Sequence, residues 1–169
     1  PRLTVLSRPG SSLYEALLEG FGAAGPEDLI GWLNADDLYT PWALSEAVRL
    51  MTGPGAPAWI SGLPALWDAE GTLRAMHATA WRPRGAIRRG WFNDGFLGCL
   101  QQETMFFRKS LIDGLTDAER GLVLSQKLAG DFVLWRAFAR QAPLVTFPLL
   151  LGGFRVHGNN RSIRQAELY

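Results

Sequence analysis

The feature that most constrains this chain is the run Leu29-Ile30-Gly31-Trp32-Leu33, which ends without a spacer on Asn34-Ala35-Asp36-Asp37. A near-continuous apolar run of this length reads as a strand buried on both faces, as in a sheet covered by helices. Upstream, Leu3-Thr4-Val5-Leu6 reads as a short buried strand and Arg8 to Ser12 as a turn. Leu13, Ala16, Leu17 and Phe21 then recur at helical spacing behind a Ser11 or Ser12 cap. Downstream, a second helix is expected from Pro41, carrying Ala43, Leu44, Ala47, Val48 and Met51. Strand, helix, strand, helix predicts an α/β fold with a mostly parallel sheet flanked by helices. Open sheets of that kind bind ligands beyond the carboxyl ends of their strands, where Asn34 to Asp37 fall.

The remainder is less regular. Ala58 to Ser61 reads as a strand, and Leu66-Trp67 with Leu73 to His77 as a hairpin around Asp68-Ala69-Glu70-Gly71. Residues 82 to 100 read as a loop carrying a short helix. Thr104 to Phe107 predicts another buried strand, followed by a helix from Lys109 to about Leu115 and a further helix beginning near Asp131. Leu144 to Phe147 and Leu149 to Arg155 are strand-like, and the polar tail after Asn159 is expected to be mobile. Neither a repeat nor a domain boundary is evident, so residues 1–169 read as a single domain.

Charge and cysteine usage exclude several classes. The chain has 17 basic and 16 acidic residues, a net charge of +1, where a generic nucleic-acid binder carries a larger basic excess. Arg82, Arg84, Arg88 and Arg89 nevertheless cluster, which fits a solvated loop or contact with a phosphate, an anionic acceptor or a membrane surface. Cys99 is the only cysteine, so no internal disulfide forms and a cytoplasmic setting is expected. A chain opening on Pro1 with a strand-like segment, and without a secretory leader, is expected to be a processed or partial protein.

Four groups of residues could carry chemistry. Asp36 and Asp37, adjacent carboxylates at a strand end, repel each other unless a cation or hydrogen-bond donors compensate; they suit Mg2+ or Mn2+, or else a turn before Pro41. Asp131, at a helix start, can cap that helix or act as a general base. His157 is a surface histidine or a ligand to Mn2+, which accepts imidazole more readily than Mg2+ does. Gln102 and Glu103, before a buried strand, can meet sugar hydroxyls. Most of the seven tryptophans are expected in the core, while one on a cleft wall could stack on a pyranose face.

In order, these segments resemble the family-2 glycosyltransferases of GT-A fold. Ser7 to Gly20 looks like that family's turn and helix, and Leu29 to Tyr39 is similar to its strand and Asp-X-Asp-type motif. Gln102 to Leu111 resembles the acceptor-side segment, and Ala129 to Trp135 the segment with the catalytic Asp. Phe154-Arg155-Val156-His157 to Ser162 resembles its closing F-R-x-H…S pattern. The resemblance implies a GT-A-like, Rossmann-like domain over residues 1–169, N-terminally shortened, since the strands that hold base and ribose have no counterpart upstream of Leu3. It implies that Asp36 and Asp37, with His157, hold Mn2+ or Mg2+, and that Asn34 and Arg155 join them at the donor diphosphate. Asp131 would be the catalytic base, with Gln102, Glu103 and Trp135 on the acceptor side. Asn34 stands where many relatives have Asp, and Gly130 where Glu is common.

The expected function is therefore inverting transfer of a sugar from a UDP-, GDP- or TDP-linked donor to a hydroxyl of a glycan or lipid-linked acceptor. The setting would be cell-surface polysaccharide synthesis, in the cytoplasm or at the inner membrane face with peripheral membrane contact. The alternative is a catalytically silent nucleotide- or carbohydrate-binding module. A metal-dependent phosphohydrolase ranks third, because no clear nucleophile accompanies Asp36 and Asp37.

Overall fold

The computed structural model describes residues 3–78, 81–93, 96–158 and 160. Helix α1 (Leu13–Gly22) starts at a reciprocal cap: Ser12 Oγ accepts from the Glu15 backbone N–H, and Glu15 Oε2 accepts from the Ser12 N–H at 2.7 Å. Strands β1 (Leu29–Gly31) and β2 (Leu38–Tyr39) flank the Asn34–Asp37 segment and lead into helix α2 (Ala43–Met51). Strand β3 (Trp59–Ser61) precedes the expected hairpin, β4 (Ala65–Trp67) and β5 (Leu73–Met76), whose turn Asp68 closes by accepting from the Thr72 N–H at 2.7 Å. Helix α3 (Arg84–Arg89) is the short helix of the arginine-rich loop. A 3-10 turn, Gln102–Thr104, leads into β6 (Met105–Arg108) and helix α4 (Lys109–Asp113). Helices α5 (Asp117–Ser125) and α6 (Gly130–Gln141) follow, then β7 (Val145–Thr146) and β8 (Gly152–Arg155).

The strands form two four-stranded mixed sheets, in the orders β1-β6-β3-β7 and β2-β8-β4-β5. The expectation of a mostly parallel sheet is corrected: four of the six pairings are antiparallel. The physical reason lies in β6, which enters between β1 and β3 and runs against both. Those two strands keep a common direction, as their intervening helix requires, yet they never touch. Strand β6 is buried throughout its apolar length, with Met105 and Phe107 in the larger core and Phe106 in the smaller one. The larger core joins α1, α3 and α6 to the first sheet around Trp59, Phe107, Trp135 and Phe138; the smaller lies beneath α2.

Two further expectations change. Leu3 to Leu6 form no strand: they pair with none among the described residues, and Leu3 is 89% exposed. An apolar run needs a sheet neighbour before it can bury its backbone polar groups. Helix α5 is absent from the sequence-based reading, although Thr116 and Glu119 form a second reciprocal cap. The tail expected after Asn159 lies outside the described residues except for Asn160. Among the described residues no helix is long and apolar enough to cross a membrane.

Candidate functional site

The segment after β1 is held by its own side chains. Asn34 is at its centre: Oδ1 accepts from Trp32 Nε1 at 3.1 Å, while Nδ2 donates to Asp37 Oδ2 at 3.0 Å and Gln102 Oε1 at 3.1 Å. The Gln102 amide in turn donates to Trp32 O, tying the 3-10 turn to the end of β1. Asp37 Oδ1 accepts from the Arg155 backbone N–H at 3.0 Å, which joins the two sequence-distant halves of the site. Their approach depends on a glycine. A Cβ on Gly152 would lie 2.5 Å from Glu103 O, so only glycine lets β8 run against the 3-10 turn while pairing with β2.

Beyond β8 the chain folds back. Asn160 is buried and ties this return, accepting from the His157 N–H at 2.9 Å and donating to Arg155 O at 2.8 Å. The turn sets His157 Nε2 2.9 Å from Asp36 Oδ2, and Arg155 Nε donates to Asp36 O at 2.6 Å. Asp36 is partly open, its side chain 41% exposed, whereas Asp37 is buried. The adjacent carboxylates thus take different tasks, Asp37 turning inward to brace the segment and Asp36 outward to meet His157.

Asp131 approaches from α6. It lies in the first helical turn, where the helix dipole favours a negative charge, and the N-cap position belongs to Ala129. Gly130 beside it is explained by α1. A Cβ there would lie 2.5 Å from the ring of Tyr14, whose hydroxyl donates to Leu128 O and anchors the helix start.

Like charges accumulate here. The hydrogen bond with His157 holds the Asp36 carboxyl below its ordinary range, with burial opposing. Burial raises Asp37, against the pull of the Arg155 N–H and the Asn34 amide. Burial also pushes Glu103 up, to about 8, and the charges of Asp37 and Asp131 push it further in the same direction. Asp37 and Glu103 are hydrogen-bonded to each other. Asp37 also accepts from the Asn34 amide and the Arg155 N–H, two donors that favour its charged form.

The sequence-predicted residues therefore separate into groups. Asp36, Asp37, His157, Arg155 and Asn34 come together, and Gln102 and Glu103 join them from the 3-10 turn. Gln102 uses both ends of its amide within the protein. The expectation that Trp135 lines the acceptor cleft is corrected. It is 2% exposed, stacked on Trp59 with ring centroids 6.0 Å apart and packed against Phe107 and Phe138, because α6 turns this face to the core. Sequence reasoning missed Asn160, whose only signal was its position three residues after His157.

Among the described residues, no three His, Cys, Asp or Glu side chains converge as a metal-binding group. Asp36 and His157 nonetheless supply a carboxylate and an imidazole 2.9 Å apart. That contact is a hydrogen bond, so holding an ion would require both groups to turn from each other towards it. Mg2+ commonly takes one or two protein ligands and fills the remainder with substrate phosphates and water. No family model matches this chain, and no curated protein matches it.

Proposed function

We propose that this chain is the metal- and acceptor-binding part of an inverting, nucleotide-sugar-dependent glycosyltransferase with a GT-A-like fold. The observation that carries the reading is the outward Asp36–His157 pair at the end of β1, braced through Asp37 and Arg155; Asp131, in the first turn of α6, is the carboxylate that the resemblance assigns to the acceptor. A donor diphosphate and an acceptor hydroxyl need those two functions side by side.

Asp36 and His157 would hold Mn2+ or Mg2+, with Arg155 and Asn34 at the diphosphate. The ion supplies Lewis acidity that offsets charge on the departing nucleoside diphosphate. Asp131 accepts the acceptor hydroxyl proton as that oxygen bonds to the anomeric carbon. The bond from that carbon to the diphosphate breaks on the opposite face, which inverts its configuration, and the proton ends on Asp131. Glu103, its carboxyl raised by burial, stands beside Asp37, which keeps the segment shaped. The donor would be UDP-, GDP- or TDP-linked and the acceptor a glycan or a lipid-linked saccharide at the inner membrane face.

A thermal-shift titration with UDP, GDP and TDP, each with and without Mn2+, tests this, because a ligand that binds only the folded chain raises its apparent stability. A rise with one nucleotide that requires Mn2+ supports the reading and names the base. No rise with any nucleotide sinks it. Binding without turnover across acceptors leaves a catalytically silent module.

A further inference from the structure

The arginine cluster divides between the fold and the surface. Arg82 is buried, its Nη1 donating to Ser61 Oγ at 2.6 Å. Arg84 satisfies carbonyls at the C-terminal end of α6, its Nε and Nη2 donating to Ala139 O and Arg140 O, both at 2.6 Å. Arg88 and Arg89 remain on the exposed side of α3, whose buried side chains are Ala86 and Ile87. Around these two exposed arginines the surface is apolar on one side and basic on the other.

On the apolar side, Gly90 ends α3 in the left-handed region (φ 75°), and the Leu97 N–H returns to Trp91 O at 3.0 Å. This turn shows apolar side chains to solvent: Phe96 is 67% exposed, and Trp91 and Leu97 are exposed as well. The Trp91 and Phe96 rings meet edge to face with centroids 5.8 Å apart, and the Arg89 guanidinium lies 5.5 Å from the Trp91 centroid. Asp94 of the same stretch lies outside the described residues. On the basic side, Arg88, Arg136 and Arg140 line a hollow of about 220 Å³ between α3, α5 and α6. The carboxylate on its wall, Glu119, is engaged by Arg140 through two hydrogen bonds of 2.9 Å. The two sides are continuous. Arg136 Nε donates to Arg88 O at 3.2 Å, and a Cβ on Gly90 would lie 2.8 Å from the Phe132 ring and 3.5 Å from Arg136. That glycine therefore seats the Trp91 turn beside the arginine wall of the hollow.

We propose that this face docks on a membrane surface, with Trp91, Phe96 and Leu97 entering the headgroup region and Arg88, Arg89 and Arg136 meeting the phosphates of anionic lipids. Amphipathic rings sit at headgroup level, and basic side chains beside them are drawn to the negative leaflet. Charge complementarity selects this occupant, since a second copy docked through the same face would set arginine against arginine. Phe132, packed on Gly90, follows Asp131 in α6, so docking would bring the bilayer to the helix start that carries Asp131. That consequence rests on the glycosyl-transfer reading; docking itself does not.

The test is co-sedimentation of the intact chain, without nucleotide or Mn2+, with vesicles of phosphatidylcholine alone and of phosphatidylcholine mixed with phosphatidylglycerol. Binding is expected to the mixed vesicles, weakening as salt is added. Arg89→Gln should lower the partition coefficient about fivefold, the usual worth of one basic residue at an anionic surface. Phe96→Ser should lower it about tenfold, through the lost apolar insertion. Leu44→Ser, at an exposed apolar side chain of α2, should leave it unchanged. All three side chains are exposed, so each variant should melt with the wild type. The proposal is overturned if the mixed vesicles fail to bind, if pure phosphatidylcholine binds equally, if Arg89→Gln or Phe96→Ser binds like the wild type, or if Leu44→Ser loses binding too. Self-association that disappears in Phe96→Ser, without vesicle binding, would assign the face to a second copy instead. Vesicle binding without any Mn2+-dependent nucleotide response would retain the docking surface and remove the glycosyltransferase reading.

Discussion

The α5–α6 face and the face at the end of β1 treat charge in opposite ways. On the first, Glu119 caps α5 with Thr116 and accepts from Nε and Nη2 of Arg140, both at 2.9 Å, while Arg140 also donates to Gly114 O. Glu119 and Arg140 there each meet an opposite charge, and Arg140 a backbone carbonyl as well. On the second, Asp36, Asp37, Glu103 and Asp131 crowd together, and the nearby cation, Arg155, gives its Nε to a backbone carbonyl. The first arrangement favours the folded state. The second gathers carboxylates that raise one another, Asp36 acting on Asp37 and Asp37 and Asp131 on Glu103.

Replacing Asp131 should break this contrast most visibly. Asp131→Asn is expected to lower transfer by roughly 10²–10⁴-fold, the usual worth of a general base, with the Mn2+-dependent nucleotide shift retained. Loss of both in the paired assays would make Asp131 a structural residue. Gly130→Ala comes next, since its new methyl meets the Tyr14 ring where the two faces share α6. A loss of about 1–3 kcal/mol in urea unfolding is expected from overpacking, and unchanged stability would mean that Tyr14 gives way.

Glu103→Gln sharpens the comparison through pH. The folded carboxyl sits at about 8 against an ordinary value of 4.5, so the folded state holds a proton that the unfolded chain releases. Wild-type stability should therefore decline as pH rises from 4.5 towards 8, and level off above it. Glutamine carries no titrating proton, so its melting temperature should stay flatter and the gap should widen with pH. Parallel curves would show that Glu103 is ionised in the fold.

Glu119→Gln should have the smallest effect, on the order of 0.5–1 kcal/mol for a partly exposed pair. Its pH dependence has the opposite sign. The Arg140 hydrogen bonds lower Glu119 to about 2 from 4.5, so its contribution is complete above 4.5 and disappears as pH falls towards 2. Calorimetric curves of wild type and variant should converge at the acid end; a constant separation would assign the effect to packing.

Local features were legible in the sequence, and non-local ones were not. The apolar run at Leu29 ending on two aspartates, the Asp68–Gly71 turn and the helix over Asp131 each follow from neighbours within a few residues. The insertion of β6 between β1 and β3 leaves no trace in periodicity, because a strand buried on both faces looks alike in either direction. Trp135 shows a similar ambiguity: helical spacing places it on a face, and only the neighbouring aromatic rings decide that the face is inward. Asp37 and Arg155 were both singled out, yet their mutual hydrogen bond spans 118 residues and depends on a glycine whose role appears only when β8 meets Glu103 O. Thr116 with Glu119 is different in kind, a local signature present in the sequence and left unread.

The bond from the Arg155 N–H to Asp37 has a consequence during synthesis. The ribosome delivers Asp36 and Asp37 early, but their braces, Arg155, His157 and Asn160, emerge more than a hundred residues later. Contacts of such long sequence separation form late and slowly. A nascent chain can build α1, β1 and α2 while its paired aspartates still lack their final geometry. The carboxylate arrangement therefore assembles only once β8 has docked, so a chain stalled or cleaved before Arg155 would keep much of its helical structure while lacking the arrangement at Asp36.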